Sequence, residues 1–226
     1  MAKLQCTKCS LTWPISSKLQ RCKKCNEPLE ISYDHRSFSR KDFPRGESLL
    51  SKYRKVLPFK GVKKMDKLSL GEGSSPLVRA NRLENEMDLN ALYVKNESFN
   101  PTGSFKDRGT VSEIMRAVDD GKEEIVTVST GNMAASVSAY SAKNNLKSYV
   151  FVKSDISEEK IFPISVFGSK VFKVKVDYSD LVFTCQEVCK ELKLHFTYGD
   201  TPFRVEGQKT IVYEICEDFD FKGPDY

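Results

Sequence analysis

The sequence predicts an α/β protein: a three-layer domain built on a parallel sheet, preceded by a small cysteine-rich module. Three observations predict it. Strand-like and helix-like patterns alternate from residue 110 onward, and strand–helix–strand order implies parallel strands joined by right-handed crossovers. Two Cys-x-x-Cys pairs lie within the first thirty residues. The composition over 226 residues, 39% hydrophobic and 30% charged, is that of a folded globular chain and excludes wholesale disorder and fibrous classes.

Residues 1–30 are read as a zinc-ribbon-like module. Cys6 and Cys9 form one pair, Cys22 and Cys25 the other, with twelve residues between. Two turn-borne pairs at this separation can converge as four thiolates around a zinc ion. Such a site is structural, because four thiolates leave no open position for chemistry. The module has few apolar residues, so metal binding is expected to supply most of its folding free energy. Its lone tryptophan, Trp13, is assigned to packing.

Residues 31–68 are read as a basic linker or arm. Pro44, Gly46, Pro58 and Gly61 interrupt it, leaving room for one short helix near 47–56. Residues 69–226 form the α/β domain. It opens with a stretch rich in turn formers (Gly71, Gly73, Ser74, Ser75, Pro76, then Asn100-Pro101-Thr102-Gly103). Helical spacing follows over 110–120, ending at Gly121, with Val111, Ile114, Met115 and Val118 on one face. Strands are expected at 125–128, 149–152 and 171–176. Helices are expected at 132–144, 158–167 and 180–192, the middle one interrupted by Pro163. Leu181, Cys185, Val188, Cys189 and Leu192 make a single apolar stripe, so Cys185 and Cys189 are core residues. Cys216 is assigned to the core as well. His35 and His195 stand alone, without metal-ligand spacing, and receive no role.

Charge is uneven. Residues 1–67 hold 17 Lys/Arg against 6 Asp/Glu, whereas residues 68–226 hold 19 against 25. Within the module the excess is only four, and a zinc tetrathiolate would halve it. That footprint is too weak to favour nucleic acid. No apolar run approaches the ~20 residues of a membrane helix. No apolar segment follows the start Met1-Ala2-Lys3-Leu4-Gln5-Cys6, so the expected compartment is cytoplasmic.

The most informative segment is Asn100-Pro101-Thr102-Gly103-Ser104-Phe105-Lys106-Asp107-Arg108-Gly109. It is a rigid polar turn that delivers one lysine to the start of a helix. Arg108 is expected to stand near Lys106 and depress its pKa, as a neighbouring cation does. Such an amine suits condensation with a carbonyl. Ser129-Thr130-Gly131-Asn132 lies between a strand and an Ala-rich helix, where backbone N–H groups and the helix end point at an anion.

The first of these segments resembles the cofactor-lysine motif of the threonine synthase family, pyridoxal 5′-phosphate (PLP) enzymes of fold type II. Three others agree in order. Leu70-Gly71-Glu72-Gly73-Ser74-Ser75-Pro76-Leu77 resembles the family's early turn, with Ser75 where threonine is usual. Ser129-Thr130-Gly131-Asn132 resembles its STGN loop, and Arg204-Val205-Glu206-Gly207-Gln208-Lys209-Thr210 a later helix. A four-cysteine ribbon also precedes many members. The resemblance implies that Lys106 bonds the cofactor and then moves protons at the substrate's α and β carbons. It implies that Asn132 contacts the cofactor's phenolic oxygen. Ser129 and Thr130 would hold the substrate carboxylate, and Arg204 its phosphate. The implied reaction turns O-phospho-L-homoserine and water into L-threonine and phosphate.

The glycine-rich loop that cradles the cofactor phosphate in this fold type has no counterpart here, since only Gly223 follows Thr210. The chain is therefore expected to be the N-terminal part of the catalytic unit, truncated or split, with weak cofactor binding and no turnover alone. It is expected to act with a missing C-terminal half or as a homo-oligomer. Three alternatives stay open: a cysteate synthase-like enzyme, a threonine or serine dehydratase (from which Asp107 and Met133 point away), and a non-catalytic zinc-ribbon interaction protein.

Overall fold

The computed structural model describes residues 2–17, 19–34, 38–44, 46–59 and 62–224; His35 lies outside them. The first sheet is antiparallel, with β1 (Lys3–Cys6) between β2 (Thr12–Pro14) and β3 (Leu29–Ser32). Leu4, Leu29 and Ile31 turn inward from it and join the main core. The module thus shares a core with the body and does not fold around its metal site alone.

Two short helices follow, α1 (Leu49–Lys52) and α2 (Val62–Leu68). The segment expected as a basic arm is packed: Leu49, Leu50, Tyr53, Val56, Leu57, Phe59, Met65 and Leu68 are all buried. A two-stranded antiparallel ribbon, β4 (Leu77–Arg79) with β5 (Tyr93–Lys95), brackets α3 (Asn81–Met87).

The body alternates as the sequence predicts. Helix α4 (Lys106–Asp119) leads into β6 (Glu124–Val128), α5 (Asn132–Lys143), β7 (Lys147–Lys153), α6 (Glu158–Ser165), β8 (Lys170–Val174), α7 (Tyr178–Glu191), β9 (His195–Thr197) and α8 (Pro202–Asp218). Helix α6 runs through Pro163. The four strands are parallel in the order β8-β7-β6-β9. Alternation puts Val126 and Val128 under Leu181, Cys185 and Cys189 of α7. Val150 and Val152 face Ala134 and Ile164 of α5 and α6, on the opposite side. Ile125 joins α4 and α5 there. Helices on both faces of the sheet make the three layers. Among the described residues no helix is long and apolar enough to cross a membrane.

Helix α8 is absent from the sheet's alternating pattern because it packs mainly on α4 and, beside it, on β3 of the first sheet. The two helices approach through glycine. A Cβ on Gly109 would press on the Arg204 stem at 2.7 Å, and one on Gly207 would fall inside the Arg108 carbonyl and against Ser112 Oγ. Gly207→Ala is therefore expected to cost about 1–3 kcal/mol or more. Urea unfolding checks this against Gly199→Ala, whose added Cβ meets nothing within 4 Å; equal midpoints for the two variants would contradict the close crossing.

Candidate active site and metal centre

Lys106 opens α4. The turn before it is braced by its own side chains. Asn100 Nδ2 donates to the Glu97 carbonyl at 2.7 Å and to its carboxylate at 2.9 Å, while Asn100 Oδ1 accepts from Gly73 N at 3.0 Å. Asp107, buried in the first helical turn, accepts from Thr102 N at 2.7 Å and from Thr102 Oγ1 at 2.6 Å. An aspartate there also complements the positive helix end. This bracing sets the direction of Lys106, which is half-buried, its Nζ 4.1 Å from the centre of the Phe105 ring.

The Lys106 pKa is lowered, first by burial and then by a cation, as the sequence leads one to expect, but the cation is Arg204 and not Arg108. Arg108 lies fully buried and neutralised. Its Nε and Nη2 donate to Glu97 at 2.7 and 2.8 Å, and Nη1 and Nη2 to Glu214 at 2.8 Å each. Thr210 and Ser75 hydroxyls complete the shell at 3.2 and 3.1 Å. Arg108 is a structural clamp joining the turn, α4 and α8.

Arg204 is also fully buried. Its Nη2 donates to the Lys106 carbonyl at 3.4 Å and to Thr110 Oγ1 at 3.3 Å, while its Nε and Nη1 have no partner. Burial lowers its pKa to about 10, Glu113 and Asp107 working the other way. Two unpartnered nitrogens on a buried cation are costly unless an anion meets them.

Asn132 begins α5 and is exposed. Thr110 and Ser136 stand one turn in from Lys106 and Asn132, and their 2.7 Å hydrogen bond ties the first turns of α4 and α5 together. Ser129 and Thr130 are half-buried beyond the end of β6. Ser129 Oγ accepts from Gly131 N at 3.4 Å, and α5 receives no side-chain cap. Lys106, Asn132 and Arg204 are thus grouped around the amino ends of α4 and α5.

The four cysteines form a separate centre. Their sulfurs lie within 4.8 Å of one another. Cys6–Cys25, Cys9–Cys22 and Cys9–Cys25 distances are 3.5, 3.6 and 3.8 Å. A zinc tetrahedron with 2.3 Å bonds needs sulfur separations of about 3.8 Å, so the donor set fits the ion. The Cys9 amide, helped by that of Lys8, brings the Cys6 thiol down to about 6. The module docks on the far part of α4, where Arg116 donates to the Ile15 carbonyl at 3.1 Å. Arg116 is about 15 Å along the helix from Lys106, consistent with a structural metal.

Sequence reasoning missed Glu113, His195 and Thr201. Glu113 is an acidic residue among Val111, Ile114 and Met115 on a buried helix, and that exception was the available signal.

A parallel α/β sheet with a pKa-lowered lysine beginning the helix that leads into its inner strand β6 defines a class. Residues 68–226 match the family described as pyridoxal-phosphate dependent enzymes, and the chain belongs to that family. Among curated proteins it is 37% identical to the threonine synthase of Methanocaldococcus jannaschii over 226 residues, covering 98% of this chain and 55% of that protein. It is 31% identical to the threonine synthase of Methanosarcina acetivorans over 229 residues, covering 100% and 55%. The chain therefore spans about half the length of the curated relatives it matches. Among solved structures, Escherichia coli diaminopropionate ammonia lyase superposes with a TM-score of 0.63 at 18% identity, covering 83% of this chain and 54% of that one, a likeness of fold.

Proposed function

We propose that this chain carries the cofactor lysine and part of the substrate site of a PLP-dependent lyase that forms L-threonine from O-phospho-L-homoserine. One observation carries the proposal. A pKa-lowered lysine begins a helix whose first turn is met by a buried guanidinium with two unpartnered nitrogens. The names of the relatives above agree with it.

The residues present fit the cofactor's aldehyde and ring oxygen, while the loop that would cradle its phosphate has no counterpart among them. Lys106 is braced on a rigid turn, no carboxylate contributes to its shift, and its lowered pKa leaves more neutral amine at any given pH. Asn132, exposed one turn from the Thr110–Ser136 bond, is free to meet a ring oxygen. When bound, pyridoxal phosphate supplies an electron sink for carbanions. The chain's own groups do the rest. Lys106 takes and returns a proton at Cα and then Cβ. The uncapped first turn of α5, with Ser129 and Thr130, receives the substrate carboxylate. Arg204 Nε and Nη1 meet the phosphate, whose oxygens give acceptors to nitrogens that have none. A small-molecule substrate accounts for these groups without a nucleic-acid or membrane partner.

The test holds the chain in saturating pyridoxal phosphate, titrates it with three ligands and follows the cofactor's visible absorbance. O-phosphohomoserine is expected to act at the lowest concentration, with O-phosphoserine and L-threonine weaker, and Arg204→Gln is expected to erase that preference. A stronger response to O-phosphoserine would favour a cysteate-forming enzyme. A preference for L-threonine would favour a dehydratase. Either would overturn the assignment.

A further inference from the structure

Glu113 is the least expected group in the interior. It lies seven residues, two turns, beyond Lys106 on the same face of α4, and it is 1% exposed. Every part of its carboxylate is engaged. Oε1 accepts from Thr201 Oγ1 at 2.6 Å and from the Arg204 backbone N at 3.0 Å. Oε2 lies 2.8 Å from His195 Nε2. Thr201 is the residue that caps α8, and its own side chain gives α8 no cap hydrogen bond. The first N–H groups of a helix need acceptors, and here a carboxylate from another helix provides one.

The consequence for Lys106 runs through one residue. Seating the α8 terminus on Glu113 holds the Arg204 stem against Gly109, where no Cβ intervenes. The guanidinium then reaches the Lys106 carbonyl and Thr110. Glu113 touches the candidate site only at the Arg204 backbone N–H. Its other side, with His195 and Thr201, borders a cleft of about 880 Å³ between the second cysteine pair and the body.

We propose that Glu113 is a positioning residue for Lys106: by holding Thr201 and the Arg204 amide, it fixes the Arg204 guanidinium against the Lys106 carbonyl and Thr110, in the helical turn that carries the reactive amine. The charged groups concerned are few. Arg204 acts on Lys106. Glu113 and Asp107 of α4 act on Arg204. His195 of β9 and Arg204 of α8 act on Glu113. The inference rests on the function proposed above only in treating Lys106 as the reactive amine, and its test needs neither cofactor nor substrate.

The experiment is competitive labelling of the full chain with trace acetic anhydride across a pH series. Site yields are read by peptide mass spectrometry, with exposed Lys143 as internal reference. The sign discriminates. Removing a negative charge without moving anything would make the surroundings of Lys106 more positive and shift its midpoint down. Releasing Arg204 would shift it up. Glu113→Gln is expected to raise the midpoint, cutting the labelling of Lys106 relative to Lys143 by about threefold or more at a pH below both midpoints, a shift of half a unit or more. Arg204→Gln is expected to do the same, and the double variant to add nothing further. Thr201→Ala, a gentler change, should move the midpoint in the same direction and covers the case in which Glu113→Gln does not fold. An unmoved or lowered midpoint in the folded variants, or full additivity with Arg204→Gln, would overturn the proposal.

Discussion

Replacing Arg108 with methionine is expected to destabilise the protein by about 3–5 kcal/mol, the usual cost of removing one partner from a buried ion pair. Arg108 sits between Glu97 and Glu214, 0% exposed itself, with Glu214 at 5%. Losing the cation strands the Glu97 carboxylate and leaves Glu214 paired with Lys95, at 3.2 Å. Truncation also opens space where α4, α8 and the turn at Gly73 meet; a Cβ on Gly73 would already lie 2.7 Å from Leu49 Cδ1. Denaturant unfolding checks the magnitude, and a partial recovery in Arg108→Met with Glu97→Gln identifies the stranded charge as the cause. The pH dependence follows from the shifts. Burial works to raise Glu97 and Glu214, but Arg108 outweighs it and both stay lowered. A carboxyl lowered in the folded state contributes stability that is complete above its unfolded value, about 4.3, and is lost as pH falls through the folded value. The gap between wild type and variant should therefore be widest near neutrality and narrow on acidification. A gap that widens in acid would contradict this account.

Metal removal is the second large effect. Structural zinc contributes roughly 10–16 kcal/mol of apparent folding free energy in small peptide modules near neutral pH. Here Leu4, Leu29 and Ile31 share the body's core, so part of the module's stability comes from elsewhere. The expected result of chelation, or of Cys22→Ser, is loss of amide-exchange protection throughout β1–β3. The Gln20–Phe196 and Arg21–Asp200 contacts should go with it. Affinity should fall with falling pH, because the ligands are thiolates. Unchanged protection in β1–β3 after chelation would show that the cluster holds no structural ion.

The alternating half of the fold was legible because strands and helices there carry their proper periods. The β-branched runs give β6, β7 and β8, and the Leu181–Cys185–Cys189 stripe gives α7. Strand β9 was not legible. It is three residues, His-Phe-Thr, too short for alternation to show, and it is defined by pairing with β6. The basic stretch 31–68 misled for another reason. Among the described residues the lysines and arginines there are exposed or half-buried, several of them paired (Lys52 with Glu217 at 2.9 Å, Lys55 with Asp42 at 2.5 Å), while the leucines and aromatics between them face inward. Composition sums over both faces of a segment and cannot separate them. At the site, the position of Lys106 at the start of a helix could be read from its turn. Which arginine stands beside it could not: Arg108 is two residues away in sequence but points into the core, and Arg204 is brought in by a helix crossing.

The most direct test of the central claim asks which amine takes the cofactor. The chain is mixed with one equivalent of pyridoxal phosphate, reduced with borohydride and mapped by peptide mass spectrometry. The account predicts that the label is concentrated on Lys106 and disappears in Lys106→Arg while the fold survives. A label spread over exposed lysines such as Lys23, Lys143 and Lys173, or concentrated on any one of them, would contradict it.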